Sequence, residues 1–437
     1  MLQPKSHYDV LVIGGGIAGQ ETSLNLANLG YKVALVEKDY SLGGKMILLS
    51  KVFPTLDCAA CITTPKVSET ARHPNIDVFT YSEVRDIYKQ ERGFRFTLVQ
   101  KPRYVTEDCT GCQLCEDVCP VVVEDEYQYG LVGRKAIFIP HSIANPRIAA
   151  IDIDHCTFCG LCEKVCPPKC IVFDQQEQVN ELTATAVVLA TGYKLFDPAV
   201  IKRYGYGKYK NVITAMQMER QLVPTRPFNN ILRPSDGKVP DNIAYVLCTG
   251  SRDVTVGNPI CSQVCCMYST KQAQLIMGAL PMADVTLYYI NIRAFGKGFC
   301  EFYQQARAMG VGYVKGKVGR IFEKENGNLI LRYEDIETGQ VAEAEHDLVV
   351  LSIGILPNTE WKNLFKNVQV EHDPYNYVRQ TDELTSPART SVEGVFVAGT
   401  ASGPMDIPDT ILSAGAASSE TASYLRKVYK EVYPALA

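Results

Sequence analysis

The sequence predicts an α/β chain of Rossmann-type architecture: two doubly wound, dinucleotide-binding-type lobes, with a small cysteine-rich α+β domain inserted into the first. Three observations carry this. A glycine fingerprint follows the first apolar run, later apolar runs each end in glycine, and two matching cysteine runs lie between residues 109 and 166. At 437 residues, 46% hydrophobic and 21% charged, the chain can bury a core for two or three domains. A formal net charge of −4 with dispersed Lys and Arg gives no pull toward nucleic acid or anionic lipid, so protein or small-molecule partners are expected. Apolar runs such as 186–190 and 348–355 are too short to span a bilayer, and no signal-peptide pattern precedes the first strand. A cytoplasmic protein without a membrane span is expected.

The first strand is expected at 9–13, running into Gly14-Gly15-Gly16-Ile17-Ala18-Gly19 and a helix over 21–29 that Gly30 stops. A second strand over 32–36 ends at Glu37. In such a βαβ unit Gly14 makes the turn, Gly16 admits backbone amides to a pyrophosphate, Gly19 lets the helix pack closely, and Glu37 takes a ribose hydroxyl pair. A lone GxGxxG is a weak signal, and a glycine-rich turn without nucleotide is its bland alternative. Here strand, helix and acid all fall in register. Gly43-Gly44-Lys45 follows, and strand-plus-glycine ends recur at 186–192, 348–354 and 394–400. The nucleotide-binding candidates are Gly14, Gly16, Ile17, Ala18, Gly19, Glu37, Lys38, Gly44, Lys45, Thr191, Gly192, Gly399 and Thr410. Thr410 is included because the turn at 408–410 is expected to open the last helix, whose amides can face a ligand. Together these segments resemble the two-dinucleotide-domain flavoproteins of the thioredoxin reductase type, which implies FAD as cofactor.

Sixteen cysteines would suit disulfides only in an oxidising compartment and a small secreted scaffold, neither of which applies. The run Cys109, Cys112, Cys115 and Cys119 is repeated as Cys156, Cys159, Cys162 and Cys166, and a proline closes each. This is the spacing of a two-cluster bacterial ferredoxin, in which the fourth cysteine of each run ligates the other cluster. One [4Fe-4S] cluster is expected on Cys109, Cys112, Cys115 and Cys166, the other on Cys156, Cys159, Cys162 and Cys119. Zinc would call for fewer, more widely separated thiolate pairs. Cys170 reads as a small buried hydrophobe. The expected division is an FAD-binding part at 1–102, the ferredoxin insert at 103–172, a second FAD part at 173–240, a degenerate nicotinamide-type lobe at 241–345, and a last FAD part at 346–437.

The second lobe should begin with a strand at 243–247. Where a nicotinamide-binding fold places GxGxxG, the chain has Cys248-Thr249-Gly250-Ser251-Arg252, and the next strand, 285–290, is followed by Asn291 and Ile292 rather than a ribose-binding acid. No pyridine nucleotide site is expected there. Cys248, Cys261, Cys265 and Cys266 stand in its place, before a helix expected from about Met267. Four thiolates at a helix N-terminus suit a third [4Fe-4S] cluster, with buried core cysteines as the alternative. Lys271, further along that helix, is the candidate catalytic residue: it could reach the flavin and stabilise its reduced, anionic form, or be a surface lysine. Cys58 and Cys61 are open to three readings: a redox dithiol, half of an iron-sulfur site completed by another domain or subunit, or alternative ligands to the third cluster. A CxxC opening a helix after a strand is not evident, which favours the shared half-site. Cys300 reads as structural.

Through residues 14–19, Phe53-Pro54-Thr55-Leu56-Asp57-Cys58-Ala59-Ala60-Cys61, the double cysteine run, 248–252, 261–268, Gly296-Lys297-Gly298 and 398–409, the chain resembles the A-type subunits of heterodisulfide reductase over essentially its whole length. The long methanogen form carries an N-terminal cluster domain and a C-terminal ferredoxin domain that this sequence is expected to lack. The resemblance implies a flavin hub that forms a homodimer and serves partners like the B- and C-type subunits of heterodisulfide reductase or other redox proteins, for disulfide reduction or sulfur-compound oxidation. Electron bifurcation at the flavin is a further implication, against which stands the expected lack of the C-terminal ferredoxin exit. The competing readings are a free-standing NAD(P)H:ferredoxin or disulfide oxidoreductase and an iron-sulfur scaffold with a vestigial flavin fold.

Overall fold

The computed structural model describes residues 3–432. Its first sheet opens with β1 (His7–Ile13), α1 (Ile17–Asn28) and β2 (Val33–Val36), continues through α2 (Ala59–Arg72) to β3 (Ile76–Phe79), and adds the hairpin β4 (Ser82–Lys89) and β5 (Phe94–Gln100). The insert carries α3 (Leu114–Val118), β6 (Val122–Glu124), β7 (Gly133–Lys135), β8 (Ile137–Phe138), β9 (Ala150–Ile151) and α4 (Leu161–Val165). The chain returns along β10 (Gln178–Leu189) and crosses to the second lobe through β11 (Tyr193–Leu195). That lobe holds β12 (Val212–Thr214), α5 (Ala215–Leu222), β13 (Asn242–Thr249), α6 (Cys265–Ala279), β14 (Asp284–Tyr289), α7 (Phe299–Ala308), β15 (Gly312–Glu323), β16 (Leu329–Asp335), β17 (Gln340–His346) and β18 (Leu348–Ile353). β19 (Ile355–Pro357) leads back to β20 (Val395–Val397) and the closing helix α8 (Ile407–Val432).

The first sheet runs β3-β2-β1-β10-β5-β4, with β20 also on β10. β10 changes partners along its length: residues up to Ala184 pair antiparallel with β5, whereas Val187 to Leu189 pair parallel with β20. The whole insert is therefore the loop of the β5–β10 hairpin, Gln100 standing opposite Gln178. Strands buried on both faces read as continuous apolar runs, and Leu11, Leu35 and Val187 are fully buried, each contributing about 1.5–3 kcal/mol.

The second sheet runs β12-β18-β13-β14-β15-β16-β17, parallel through β15 and antiparallel beyond. This differs from the expected division. β12 and α5, expected in the second FAD part, and β18, expected in the last, belong to the second lobe, because the wholly buried β18 needs parallel neighbours on both sides and finds them in β12 and β13. The two crossings between lobes, β11 and β19, pair with each other, Tyr193 opposite Pro357. The last helix begins at Ile407, so the turn expected to open it at 408–410 is already helical.

Within the insert, α3 leads into the antiparallel pairs β6–β7 and β8–β9 and α4 into a bridge between Ile171 and Val105, and its ends are tied: Thr106 N–H donates to the Cys170 carbonyl (2.8 Å) and Val172 N–H to that of Tyr104 (2.9 Å). Arg103 fastens it to the first lobe, one guanidinium nitrogen donating to the Tyr40 carbonyl and Thr80 Oγ1, both at 2.7 Å. Among the described residues no helix is long and apolar enough to cross a membrane.

Candidate redox site

A cavity of about 570 Å3 lies where the lobes meet. Its floor is the glycine turn. A Cβ on Gly14 would sit 2.2 Å from the Ala190 carbonyl oxygen and one on Gly19 1.8 Å from that of Gly14, so both positions demand glycine, while Gly16 faces open space as far as Gly44 Cα at 4.0 Å. α1 starts at Ile17, four residues before the expected start, with no side-chain cap on its amides. Uncapped N–H groups and the helix dipole suit a pyrophosphate. Glu37 also lines the cavity; it accepts the Gly15 N–H (2.6 Å) and the Asp39 N–H (2.9 Å), and burial pushes its carboxyl up to about 7.

Ile17, Ala18, Lys38, Gly44, Lys45, Thr191, Gly192 and Thr410 line the same cavity. Lys38 pairs with Glu360 at 3.1 Å. Lys45 lies over the Tyr193 ring at 5.3 Å, and burial lowers its pKa. Thr191 Oγ1 is buried without a partner, a polar atom left for a ligand. An orphan hydroxyl, free helix amides and a glycine floor fit a flavin dinucleotide. Two expectations change. Gly399 and Gly19 do not line the cavity; Gly399 packs on Ala18, where a Cβ would come within 2.7 Å, and its neighbours Ala398 and Thr400 form the wall. Thr410 lies within the first turns of α8, its amide and hydroxyl both donating to the Asp406 carbonyl (2.9 and 2.6 Å), so it contributes packing and not a free amide.

Lys271 is wholly buried on the cavity wall, not at the surface, in a close ion pair with Glu219, a residue nothing in the sequence singles out. Glu219 also accepts from Ser50 N (2.7 Å), Ser50 Oγ (2.6 Å) and Gln272 Nε2 (2.6 Å). Burial pushes its carboxyl up, but Lys271 and these donors more than reverse that, leaving it below the usual range; burial lowers the Lys271 pKa. A carboxylate on α5 one helix away from a lysine on α6 has no local sequence signal.

In the insert, one small cavity is lined by Cys109, Cys112, Cys115 and Cys166, and a second by Cys119, Cys156, Cys159 and Cys162. Each gathers the crossed set expected from the spacing, with apolar residues around it, and fits a cubane. Cys170 is buried as expected, yet its sulfur lies 3.4 Å from that of Cys166 and it lines the first cavity, so it is a fifth thiol beside that set and not merely filler. Two residues after a leading cysteine the backbone turns left-handed, at Gly111 (φ 67°) and Phe158 (φ 53°), and Phe158 N–H points at Cys156 Sγ, 3.4 Å away.

The same turn recurs in the second lobe: Gln263 (φ 61°) directs its N–H at Cys261 Sγ, 3.3 Å away. Cys265 and Cys266 are the first residues of α6, two positions before its expected start. Cys265 holds the Cys248 thiol down to about 7 against burial, with Arg252 and Arg293 assisting, and Cys266 Sγ donates to the Asn291 carbonyl (3.7 Å). Cys261 rides on a segment bonded back to Ser251 and Arg252. Val264 and Tyr268 of the same stretch line the large cavity, so thiol group and cavity share one helix start. Gly250 is filled over by the Phe196 ring, 2.0 Å from a Cβ there, and the Arg252 guanidinium bonds the Asn291 side chain across the strand ends.

Cys58 and Cys61 are joined as a disulfide, and Cys58 caps α2, its sulfur accepting the Cys61 N–H at 3.2 Å. The CxxC does open a helix, contrary to expectation, because the preceding loop folds back so that Cys58 bridges Lys51. Cys300 is exposed.

A profile described as pyridine nucleotide-disulphide oxidoreductase matches residues 8–110 and 141–421, and one described as a 4Fe-4S dicluster domain matches 105–170. The chain is 44% identical over 413 residues to the A-type iron-sulfur subunit of CoB–CoM heterodisulfide reductase from Methanocaldococcus jannaschii, covering 94% of this chain and 63% of that one. It is 42% identical over 424 residues to the A-type subunit of the ferredoxin:CoB-CoM heterodisulfide reductase from Methanosarcina mazei, covering 96% and 54%. It thus spans roughly half to two thirds of these relatives. In fold it is similar to the thioredoxin reductases of T. acidophilum (TM-score 0.55, 15% identity, 97% of this chain and 99% of that) and Lactococcus lactis (0.55, 13%, 96% and 99%).

Proposed function

This chain belongs to the pyridine nucleotide-disulphide oxidoreductase family, and from that premise we propose that it is the flavin- and iron-sulfur-bearing electron-transfer component of a heterodisulfide reductase-like complex. The similarity to the A-type subunits over nearly all of this chain supports the reading, as does the pairing of a dinucleotide cavity with a dicluster domain. The observation that carries it is that Cys265 and Cys266 open the helix α6, whose Tyr268 and Lys271 line the cavity wall.

FAD supplies, when bound, exchange between two-electron and one-electron carriers, and [4Fe-4S] clusters carry single electrons. The chain's own residues bind and position. The amides at the start of α1 and Gly14 to Gly16 would hold the pyrophosphate, Glu37 the ribose, and Lys45, Thr191 and Gly192 the neighbouring wall. Lys271, paired with Glu219 on the cavity wall, would stand beside the isoalloxazine and favour its reduced form. Cys248, Cys261, Cys265 and Cys266 would hold a third cluster beside the two of the insert. Partners like the B- and C-type subunits would supply the sulfur chemistry, in the cytoplasm, with a second copy of the chain completing a homodimer.

Iron and acid-labile sulfide per FAD on anaerobically purified protein test the reading. About twelve irons per flavin are expected for three cubes; about eight would remove the site on α6. Anaerobic NADH or NADPH should leave the flavin oxidised, and rapid bleaching by either would instead favour a free-standing NAD(P)H oxidoreductase.

A further inference from the structure

Arg220 is fully buried on α5, at the junction between the insert and the wall of the large cavity. Its Nη1 donates to the Leu48 carbonyl (2.9 Å), on the turn whose residues line the cavity, and its Nε to Gln128 Oε1 of the insert (3.0 Å). The guanidinium lies 4.4 Å from the centre of the Tyr127 ring, whose hydroxyl donates to the Ile47 carbonyl of that same turn (3.0 Å). Nη2 has no partner, and among the described residues no carboxylate pairs with Arg220. The adjacent Glu219 is committed to Lys271.

The surroundings do not cancel this charge. His141 stacks on Tyr127 at 4.9 Å with both ring nitrogens unpartnered. Burial first, and Arg220 second, push its pKa down to about 4, so it stays neutral. Carbonyl, amide and ring offer dipoles only. An arginine does not shed its proton to escape burial, and a buried charge without a counter-charge is costly. The missing counter-charge would therefore come from the neighbouring cavity, where electrons accumulate on a reduced cofactor.

We propose that Arg220 sets the reduction potential of the bound flavin from behind the cavity wall, as a positioning residue whose uncompensated positive charge favours the electron-loaded state. This rests on the proposed binding of FAD in that cavity. A uniform structural role, latching the insert to the turn at 44–48, is the competing account, and two substitutions separate them. Gln128→Glu is nearly isosteric and places a carboxylate against the guanidinium, neutralising the charge while keeping the latch. Arg220→Lys keeps the charge while losing the fork.

Spectroelectrochemical titration of the flavin in the anaerobic full-length holoprotein is the measurement. Gln128→Glu should lower the flavin potential by about tenfold in the two-electron equilibrium, about 30 mV, with FAD content unchanged, and Arg220→Lys should move it less. A normal FAD content with an unmoved potential in Gln128→Glu would overturn the role of Arg220 and leave the proposed function standing. Purified wild-type protein without FAD would instead sink that function itself.

Discussion

At the scale of single residues, Glu37 shows how a binding group carries a folding cost. Its carboxyl is buried and raised to about 7 from an ordinary 4.5, with only two backbone amides to hold its charge. Between those values the native protein binds more protons than the unfolded chain, so the contribution of Glu37 to stability falls as pH rises from about 4.5 to about 7. The integrated effect is about 3 kcal/mol at most. His346, buried between Tyr288 and Asn242 and lowered to about 4, acts oppositely over nearly the same window, its contribution falling as pH drops from about 6.5 to about 4. Comparing flavin-free wild type with Glu37→Gln cancels the histidine. In denaturant unfolding, the variant should gain stability relative to wild type as pH rises from about 5 to about 7, and a pH-independent difference would show that Glu37 titrates normally. Most of this residue's role was legible: an acid at the end of the second strand of a βαβ unit has few other uses. The raised pKa was not, because it depends on the packing of Leu42 and the glycine turn around it.

Between elements, the ion pair joining α5 to α6 is the clearest case of chemistry invisible in one dimension. Glu219 and Lys271 lie 52 residues apart, and no periodicity links them. The sequence marked Lys271 only by its distance along a helix from Cys266, and left surface and cavity open. Burial decides it. Because both groups are dry, removing one strands the other. Lys271→Met should destabilise the protein by about 3–5 kcal/mol, whereas pairing it with Glu219→Gln should recover much of that, since a neutral amide can still bond Ser50 and Gln272. Thermal unfolding of the two single variants and the double gives the coupling directly; additive losses would mean that the pair is not the unit it looks. By contrast, the left-handed turn that aims Gln263 N–H at Cys261 was in principle legible, since the ferredoxin runs place Gly111 and Phe158 at the same offset. The cue is weak because only one of the three is a glycine.

For the whole molecule, local patterns supplied the pieces and left their assignment to a lobe undecided. A buried parallel strand ending in glycine reads alike in either lobe, which is why β18 was expected in the first sheet and lies in the second. The insert was legible because its cysteine spacing is self-contained, and its place in the topology gives a test of its independence. Gln100 and Gln178 stand opposite each other on adjacent strands, so a short turn can replace residues 103–174 without altering the register of β5 against β10. The replaced chain would leave Arg220 without Gln128 and Tyr127, and Tyr40 without Phe138, so a lower Tm is expected. The flavin cavity draws none of its lining from the insert. The shortened protein should therefore retain FAD and lose about eight irons per flavin, leaving about four. Retention of FAD with no iron would place all clusters in the insert, and failure to hold FAD would mean that the insert's contacts with the turn at 44–48 are what keep the cavity in shape.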